Sequence, residues 1–374
     1  MPSLNDQLSR ELDQLRAAGL YRALRTVASA QGPRIVIEGR EFLNFSSNDY
    51  LGLANDPVLK AAAMAAIDQY GVGAGASRLV SGNLAPYDDL ERKLAAFKRK
   101  EAAIVFGSGY AANVGTITAL VGEGDVVILD KLDHASIIDG ARQSGATIRV
   151  YPHRNLKKLR DLLEQAGKFR RRLIVTETVF SMDGDLAPLP EIVAVKEKYD
   201  AWLMIDEAHA TGVFGQHRRG LAEQLGVEDR VDVTLGTLSK ASGCAGGFVV
   251  GSQVLIDYLR NRARSLIYST ALPPAVVAAA GAAVELVAGD EGQQRQERLW
   301  QNVRTLGATS PIHPVIVGEE AKAVDLSRQL SEQGIFVPAI RYPTVAKGKA
   351  RLRVTMTAGH TTEEIERLRH ELAR

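Results

Sequence analysis

From about residue 100 onward, short β-branched runs alternate with helical patterns, and this alternation constrains the chain more than any other feature. The runs are "AAIVF", "DVVILD", "TIRVY", "RLIVTE", "AWLMID", "VDVTL" and "GGFVVG". Between them, "NLKKLRDLLEQA" spaces its leucines as a helix does, and "LPEIVAVKEKY" places Pro190 near a first turn. Such a chain is expected to form a mostly parallel sheet with helices on both faces, although strand order is not legible. After residue 285 the character changes: "HPVIVG", "AVDLSRQLSEQG", "IFVPAIRYPTV" and "ARLRVTMTA" read as a compact α+β unit. The expected division is an N-terminal helix and segment over 1–45, a large α/β domain over 46–285 and a small C-terminal α+β domain over 286–374.

Composition narrows the partners. Lys plus Arg number 46 against 44 Asp plus Glu, so no broad field is available to hold nucleic acid or an anionic membrane, and a small molecule is the expected ligand. Cys244 is the only cysteine. It can form no disulfide within the chain, which fits a reducing, cytoplasmic setting. The opening "MPSLNDQLSRELDQLRAAGLYR" is a charged amphipathic helix without the apolar centre of a secretory signal. "ALPPAVVAAAGAAVELVAG" contains Glu285 and falls short of the roughly 20 residues of a membrane span, so it reads as a buried helix.

Open sheets of this kind bind ligands beyond the carboxyl ends of their strands. There the polar residues gather. After "AAIVF" a glycine turn with Gly109 and Tyr110 feeds a helix, whose amide groups suit a phosphate. After "DVVILD" comes His134, able to cover a planar ring; after "RLIVTE" come Glu177 and Ser181. Asp206 and His209 follow "AWLMI", and Thr237, Ser239 and Lys240 follow "VDVTLG". Each residue alone fits an ordinary role: His134 or Asp206 as a helix cap, His209 in a loop, Lys240 as a solvated charge. Together they describe one ligand. A carboxylate behind four apolar residues needs a cation such as a protonated pyridine nitrogen, and an amine in a glycine-rich surround suits attack on an aldehyde. Pyridoxal 5'-phosphate (PLP) has all three features.

Rival motifs fail. "DEAH" at 206–209 has no G-x-x-x-x-G-K-[ST] to serve, and "YGVGAGASRLVSG" follows a helical pattern and does not complete G-x-G-x-x-G. Zinc-protease, paired-cysteine and nucleophile-elbow motifs are absent, and no metal site is expected.

The runs "NFSSNDYLGL", "GAGASRLVSG", "DKLDHAS", "TETVFSMDGDLAPL", "DEAHATGVFG", "GTLSKASG", "LIYSTALPP" and "PTVAKGKARLRVTMTAGH" together resemble the α-oxoamine synthases, nearly end to end and in order. The resemblance implies the PLP-dependent transferase fold type I, which is aspartate-aminotransferase-like, and an acyltransferase joining an amino acid to an acyl thioester with loss of carbon dioxide. It implies that Lys240 binds the cofactor covalently, Asp206 pairs with its ring nitrogen, His134 stacks on the ring and His209 approaches the ring hydroxyl. Gly109, Tyr110, Glu177, Ser181 and Thr237 would complete the cofactor site. Ser269 and Thr270 would reach the phosphate of a neighbouring subunit, which makes a homodimer the expected assembly. Asn48 and Arg353 would hold the amino acid, and Arg22, Arg341 and Thr344 would face the acyl group. Within the family, "GASRLVSG" and "AIRYPTVAKGKARLRVTMTAGH" most resemble members that use L-alanine and a pimeloyl thioester, on coenzyme A or an acyl carrier protein. Members using glycine with acetyl-CoA or succinyl-CoA stay open, because one methyl group discriminates by only about 1–3 kcal/mol. A sphingoid-base synthase and a non-catalytic scaffold remain as further alternatives.

Overall fold

The structure is a computed structural model and describes residues 2–373. Two compact units emerge. One takes in the chain up to Ser47, Met182–Gly184 and the chain from Gln301 on; the other takes in Asn48–Ser181 and Asp185–Trp300.

The smaller unit opens with a helix, Leu4–Ala17, started by a capping box between Ser3 and Asp6. Strands β1 (Arg34–Ile37) and β2 (Arg40–Asn44) follow as an antiparallel pair.

The larger unit is built on seven strands: β3 (Ala102–Phe106), β4 (Val126–Asp130), β5 (Thr147–Tyr151), β6 (Arg172–Glu177), β7 (Trp202–Asp206), β8 (Val233–Thr237) and β9 (Gly247–Gly251). They are the seven β-branched runs of the sequence. Their order is β3-β9-β8-β7-β6-β4-β5, with only β9 antiparallel to its neighbours. Both faces are covered over β3, β4, β6, β7, β8 and β9, which explains why those strands read as nearly continuous apolar runs, whereas edge strand β5 leaves Arg149 and Val150 exposed. Alternate residues serve opposite layers. Val127, Leu129, Leu173 and Val175 pack with Ile117, Ile137 and Leu259 on one face, while Val126, Ile128, Ile174 and Leu203 meet Leu159, Leu163 and Ile192 on the other. Under β3 and β9, Val105 and Phe248 pack against Leu90, Leu94, Val277 and Val284. These four belong to helices Ala85–Lys98 and Pro274–Ala288, so the apolar "PAVVAAAGAAVELVA" is a core helix. Among the described residues, no helix is long and apolar enough to cross a membrane.

The smaller unit resumes with β10 (Ile312–Gly318), β11 (Ile335–Phe336), β12 (Ala339–Ile340) and β13 (Ala350–Thr355). β13 lies between β10 and β12, antiparallel to both, and β11 adds a parallel strand beside β2. Helix Glu320–Glu332 connects β10 to β11.

Candidate active site

The path of the chain changes direction beside β4, within the large sheet. β4 lies between β5 and β6, so the chain runs outward from β4 to β5 and then returns past β4 to β6. The helix after β4, Ala135–Ser144, packs on one face through Ile137, and the helix after β6, Leu189–Lys198, packs on the other through Ile192. Ligands bind where connections diverge in this way. His134 follows β4, while Glu177, Asp206 and Thr237 close β6, β7 and β8.

Asp206 is 5% exposed. Its Oδ2 accepts from Asn113 Nδ2 at 2.8 Å and its Oδ1 from the Ala208 amide at 2.8 Å. Both donors are neutral, so the carboxylate is oriented and leaves room for a cationic partner. Asn113 lies one turn into helix Gly109–Leu120 and also donates to Ser136 Oγ at 3.0 Å. His134 caps helix Ala135–Ser144 by accepting the Ser136 amide on Nδ1, which is the helix-cap role open to it in the sequence. Burial lowers its pKa, opposed by Asp206 and reinforced by Lys240, which leaves a neutral imidazole suited to covering an aromatic face.

Glu177 is buried, and its Oε2 accepts the Ser181 amide at 3.1 Å while Oε1 has no hydrogen-bond partner. Burial pushes its carboxyl up to about 8, with the Asp206 charge adding to the effect and Lys240 opposing it. It is therefore a neutral acid at pH 7, able to donate from an otherwise unpaired oxygen.

Lys240 follows β8 by three residues, and its Nζ lies 2.9 Å from His209 Nε2. His209 Nδ1 in turn lies 2.5 Å from Tyr50 Oη. At the end of β8, Thr237 Oγ1 and Ser239 Oγ are 2.8 Å apart. Opposite them Ser108 caps helix Gly109–Leu120, and a Cβ on Gly109 would lie 3.5 Å from Thr237 Oγ1. Amides at a helix start, two hydroxyl groups and a glycine form an anion cradle. Tyr110 is exposed and donates to Asp139 Oδ2 at 2.6 Å.

Ser269 and Thr270 lie on an exposed segment, where Thr270 bridges to Ser77. Asn48 Oδ1 accepts from Tyr50 Oη at 3.4 Å. In the smaller unit, Arg22 donates to Thr344 Oγ1 at 3.2 Å, and Arg341, whose carbonyl accepts the Thr344 amide, donates to the Gly19 carbonyl. Arg353 is buried on β13 and donates to Thr355 Oγ1 at 2.9 Å. Sequence reasoning singled out neither Tyr50 nor Asn113 as a site residue. Asn113 had a signal: it stands four residues after Gly109, on the same helix face. Tyr50 had none.

The family model of aminotransferase class I and II matches residues 40–372, and the chain belongs to that family. Its relatives carry particular names. The 8-amino-7-oxononanoate synthase of Thermoanaerobacter pseudethanolicus is 48% identical over 374 residues, covering 96% of this chain and 94% of the relative. Among solved structures, serine palmitoyltransferase from S. paucimobilis with bound PLP-myriocin aldimine superposes with a TM-score of 0.93 at 33% identity, covering 98% and 96% of the two chains. The 8-amino-7-oxononanoate synthase from Francisella tularensis gives a TM-score of 0.77 at 29% identity, covering 89% and 97%. The fold is thus fold type I, as the resemblance in the sequence implied.

The residues present fit PLP, the cofactor of these enzymes. Glu177 Oε1 is a buried polar atom without a hydrogen-bond partner, Asp206 has only neutral donors, and Lys240 supplies an amine. The cradle is tight as well. A Cβ on Gly247 in β9 would stand 2.5 Å from the Ser108 carbonyl oxygen and 2.7 Å from the Gly109 nitrogen. Gly247→Ala must push the turn away at an overpacking cost of about 1–3 kcal/mol. Titration with PLP is expected to show affinity reduced roughly tenfold, and unchanged affinity would mean that this turn does not hold the phosphate.

A second titratable cluster lies at the carboxyl ends of β4 and β5. His153 bridges Asp130 at 2.9 Å and Asp185 at 2.8 Å. Burial alone would lower its pKa, but the two carboxylates outweigh burial and carry it up to about 9. A base raised in the folded state contributes stability that is complete below pH 6.5 and is lost as pH rises through 9. Urea denaturation is expected to show stability falling across that window, with a shallower fall in His153→Gln. Equal slopes in the two proteins would contradict the assignment.

Proposed function

We infer that this chain is a PLP-dependent acyltransferase that condenses L-alanine with a pimeloyl thioester. The products are 8-amino-7-oxononanoate, carbon dioxide and the free thiol carrier, and the reaction belongs to biotin biosynthesis. The observation that carries this reading is the near full-length identity of 48% to a curated synthase of that name, joined to the position of Lys240, Asp206 and His134 at the carboxyl ends of β8, β7 and β4.

Each residue has a task. The amides at the start of helix Gly109–Leu120, with Thr237 and Ser239, would hold the phosphate. Asp206, fixed by Asn113 and Ala208, would accept from the ring nitrogen and keep it protonated. Neutral His134 would cover one ring face, and His209 and Ser181 would lie toward the ring hydroxyl. When bound, PLP supplies a protonated ring that accepts the electron pair left at the amino acid's Cα. Lys240 Nζ would take the Cα proton of alanine as general base and later return a proton to that carbon. Arg353 would fix the alanine carboxylate by a bidentate contact, with Asn48 beside the amino acid. Arg22, Arg341 and Thr344 would face the pimeloyl group. Ser269 and Thr270, on their exposed segment, are assigned to the phosphate of a second subunit in a homodimer, and the protein is assigned to the cytoplasm.

Two experiments test this reading. Purified protein is offered alanine, glycine or serine with a panel of acyl thioesters, and thiol release is followed. Alanine with pimeloyl thioester is expected to exceed glycine by about 10-fold or more in kcat/KM; faster turnover of glycine with acetyl-CoA would overturn the assignment. Asp206→Ala is expected to fold and to slow exchange of the alanine α-proton by roughly 10²–10³-fold. Retained exchange would remove Asp206 from its role.

A further inference from the structure

Lys240 heads a line of side chains drawn from three segments of the larger unit. Its Nζ lies 2.9 Å from His209 Nε2, His209 Nδ1 lies 2.5 Å from Tyr50 Oη, and Tyr50 Oη lies 3.4 Å from Asn48 Oδ1. Tyr50 is 1% exposed and His209 5% exposed, so water does not compete freely for these contacts. Donor polarity orders the line. Where the Lys240 amine donates to Nε2, that nitrogen carries no proton, and the neutral imidazole then holds its proton on Nδ1 and gives it to Tyr50 Oη. The tyrosine hydroxyl then donates onward to Asn48 Oδ1.

We propose that His209 is the base that deprotonates Lys240 in the cofactor-free protein, and that Tyr50 is the positioning residue that holds His209 in the tautomer able to act. The proposal rests on Lys240 being the PLP-binding amine. In this step one N–H bond breaks at Nζ and one forms at Nε2. The positive charge passes from the ammonium group to the imidazole, and Lys240 is left as the neutral amine that attacks an aldehyde. Nδ1 keeps its proton against Tyr50 Oη throughout, so Tyr50 serves His209 as a carboxylate serves the histidine of a Ser-His-Asp triad, without adding a charge. The other titratable groups bearing on the pair are Asp206 from β7, Glu177 from β6 and His134 after β4; burial raises the carboxyl of Glu177 and lowers the imidazole of His134, which favours the neutral form of each. Substituting Tyr50 leaves all three in place.

The test mixes cofactor-free protein with PLP in a stopped-flow instrument and follows the visible band of the Lys240 adduct between about pH 6 and pH 9. In Tyr50→Phe the rate at pH 7 is expected to fall about tenfold and its pH midpoint to rise by about one unit, with the final amplitude of the unsubstituted protein. A purely structural role for the hydroxyl would lower amplitude or stability and leave the midpoint in place. Equal rates and midpoints in the two proteins would overturn the proposal. Absence of any band in the unsubstituted protein would instead remove the reading of Lys240, and this proposal with it. The tautomer can also be read without a variant, from the imidazole ¹⁵N shifts of His209 in the cofactor-free protein. A proton on Nδ1 supports the proposal, and a neutral ring protonated on Nε2 overturns it.

Discussion

Lys240→Ala is expected to yield a folded protein whose turnover falls by about 10⁴-fold or more, the upper range for loss of a general base, because the same amine both binds PLP and moves the Cα proton. Folding should survive because the turn around residue 240 is held by its backbone: the Lys240 carbonyl accepts the Gly243 amide at 2.9 Å, and the Cys244 amide donates to Leu238 at 2.8 Å. Alanine preserves both bonds. The variant should still take up PLP through the phosphate cradle and Asp206, but reversibly and without the visible band of the lysine adduct. A rate of thiol release by this variant within about 100-fold of the parent's would refute the role given to Lys240.

The largest stability effect is expected from Lys98→Met. Lys98 is buried, and its Nζ donates to Glu207 Oε2 at 2.8 Å, to Thr211 Oγ1 at 2.7 Å and to the Arg219 carbonyl. Those three acceptors use all three ammonium hydrogens. Glu207 is equally enclosed: its Oε1 accepts the Ala222 amide at 2.9 Å, and a Cβ on Gly220, whose φ is +136°, would stand 2.1 Å from Oε2. Removing one partner strands the other charge in the interior, at a cost of about 3–5 kcal/mol. Urea denaturation at fixed protein concentration should show that loss, and Lys98→Met combined with Glu207→Leu should recover most of it. A single variant within about 0.5 kcal/mol of the parent would show the pair to be energetically idle. Glu207 and Thr211 sit at the two ends of the turn that carries His209, directly after Asp206, so this ion pair also fixes part of the site's frame.

That pair illustrates where the sequence stops being legible. Most strands of the large sheet stand out because both of their faces are buried, which makes each a short continuous apolar run, while β5, at the sheet's edge, keeps Arg149 and Val150 exposed and is marked by its β-branched residues instead. Residues just beyond those strands could be nominated for chemistry without any coordinates, since parallel strands present their carboxyl ends to one crevice. Strand order was out of reach, and with it the switch between β4 and β6 that opens the crevice. Lys98, in "LAAFKRK", has the pattern of a solvated lysine at a helix end, and only tertiary packing encloses it. Tyr50 meets His209 across 159 positions of chain, and Asn113 meets Asp206 across 93, separations over which no periodicity carries information. Gly247 read as the start of a strand; its need for a bare Cα comes from the Ser108–Gly109 turn packed against it.

Covalent capture of PLP is the most direct test of the whole reading. The protein is incubated with PLP, reduced with borohydride, digested and mapped by mass spectrometry. The pyridoxyl mass is predicted on the peptide containing Lys240, in stoichiometric yield and accompanied by loss of the visible band. A stable label on any other lysine, or no label after reduction, would contradict it.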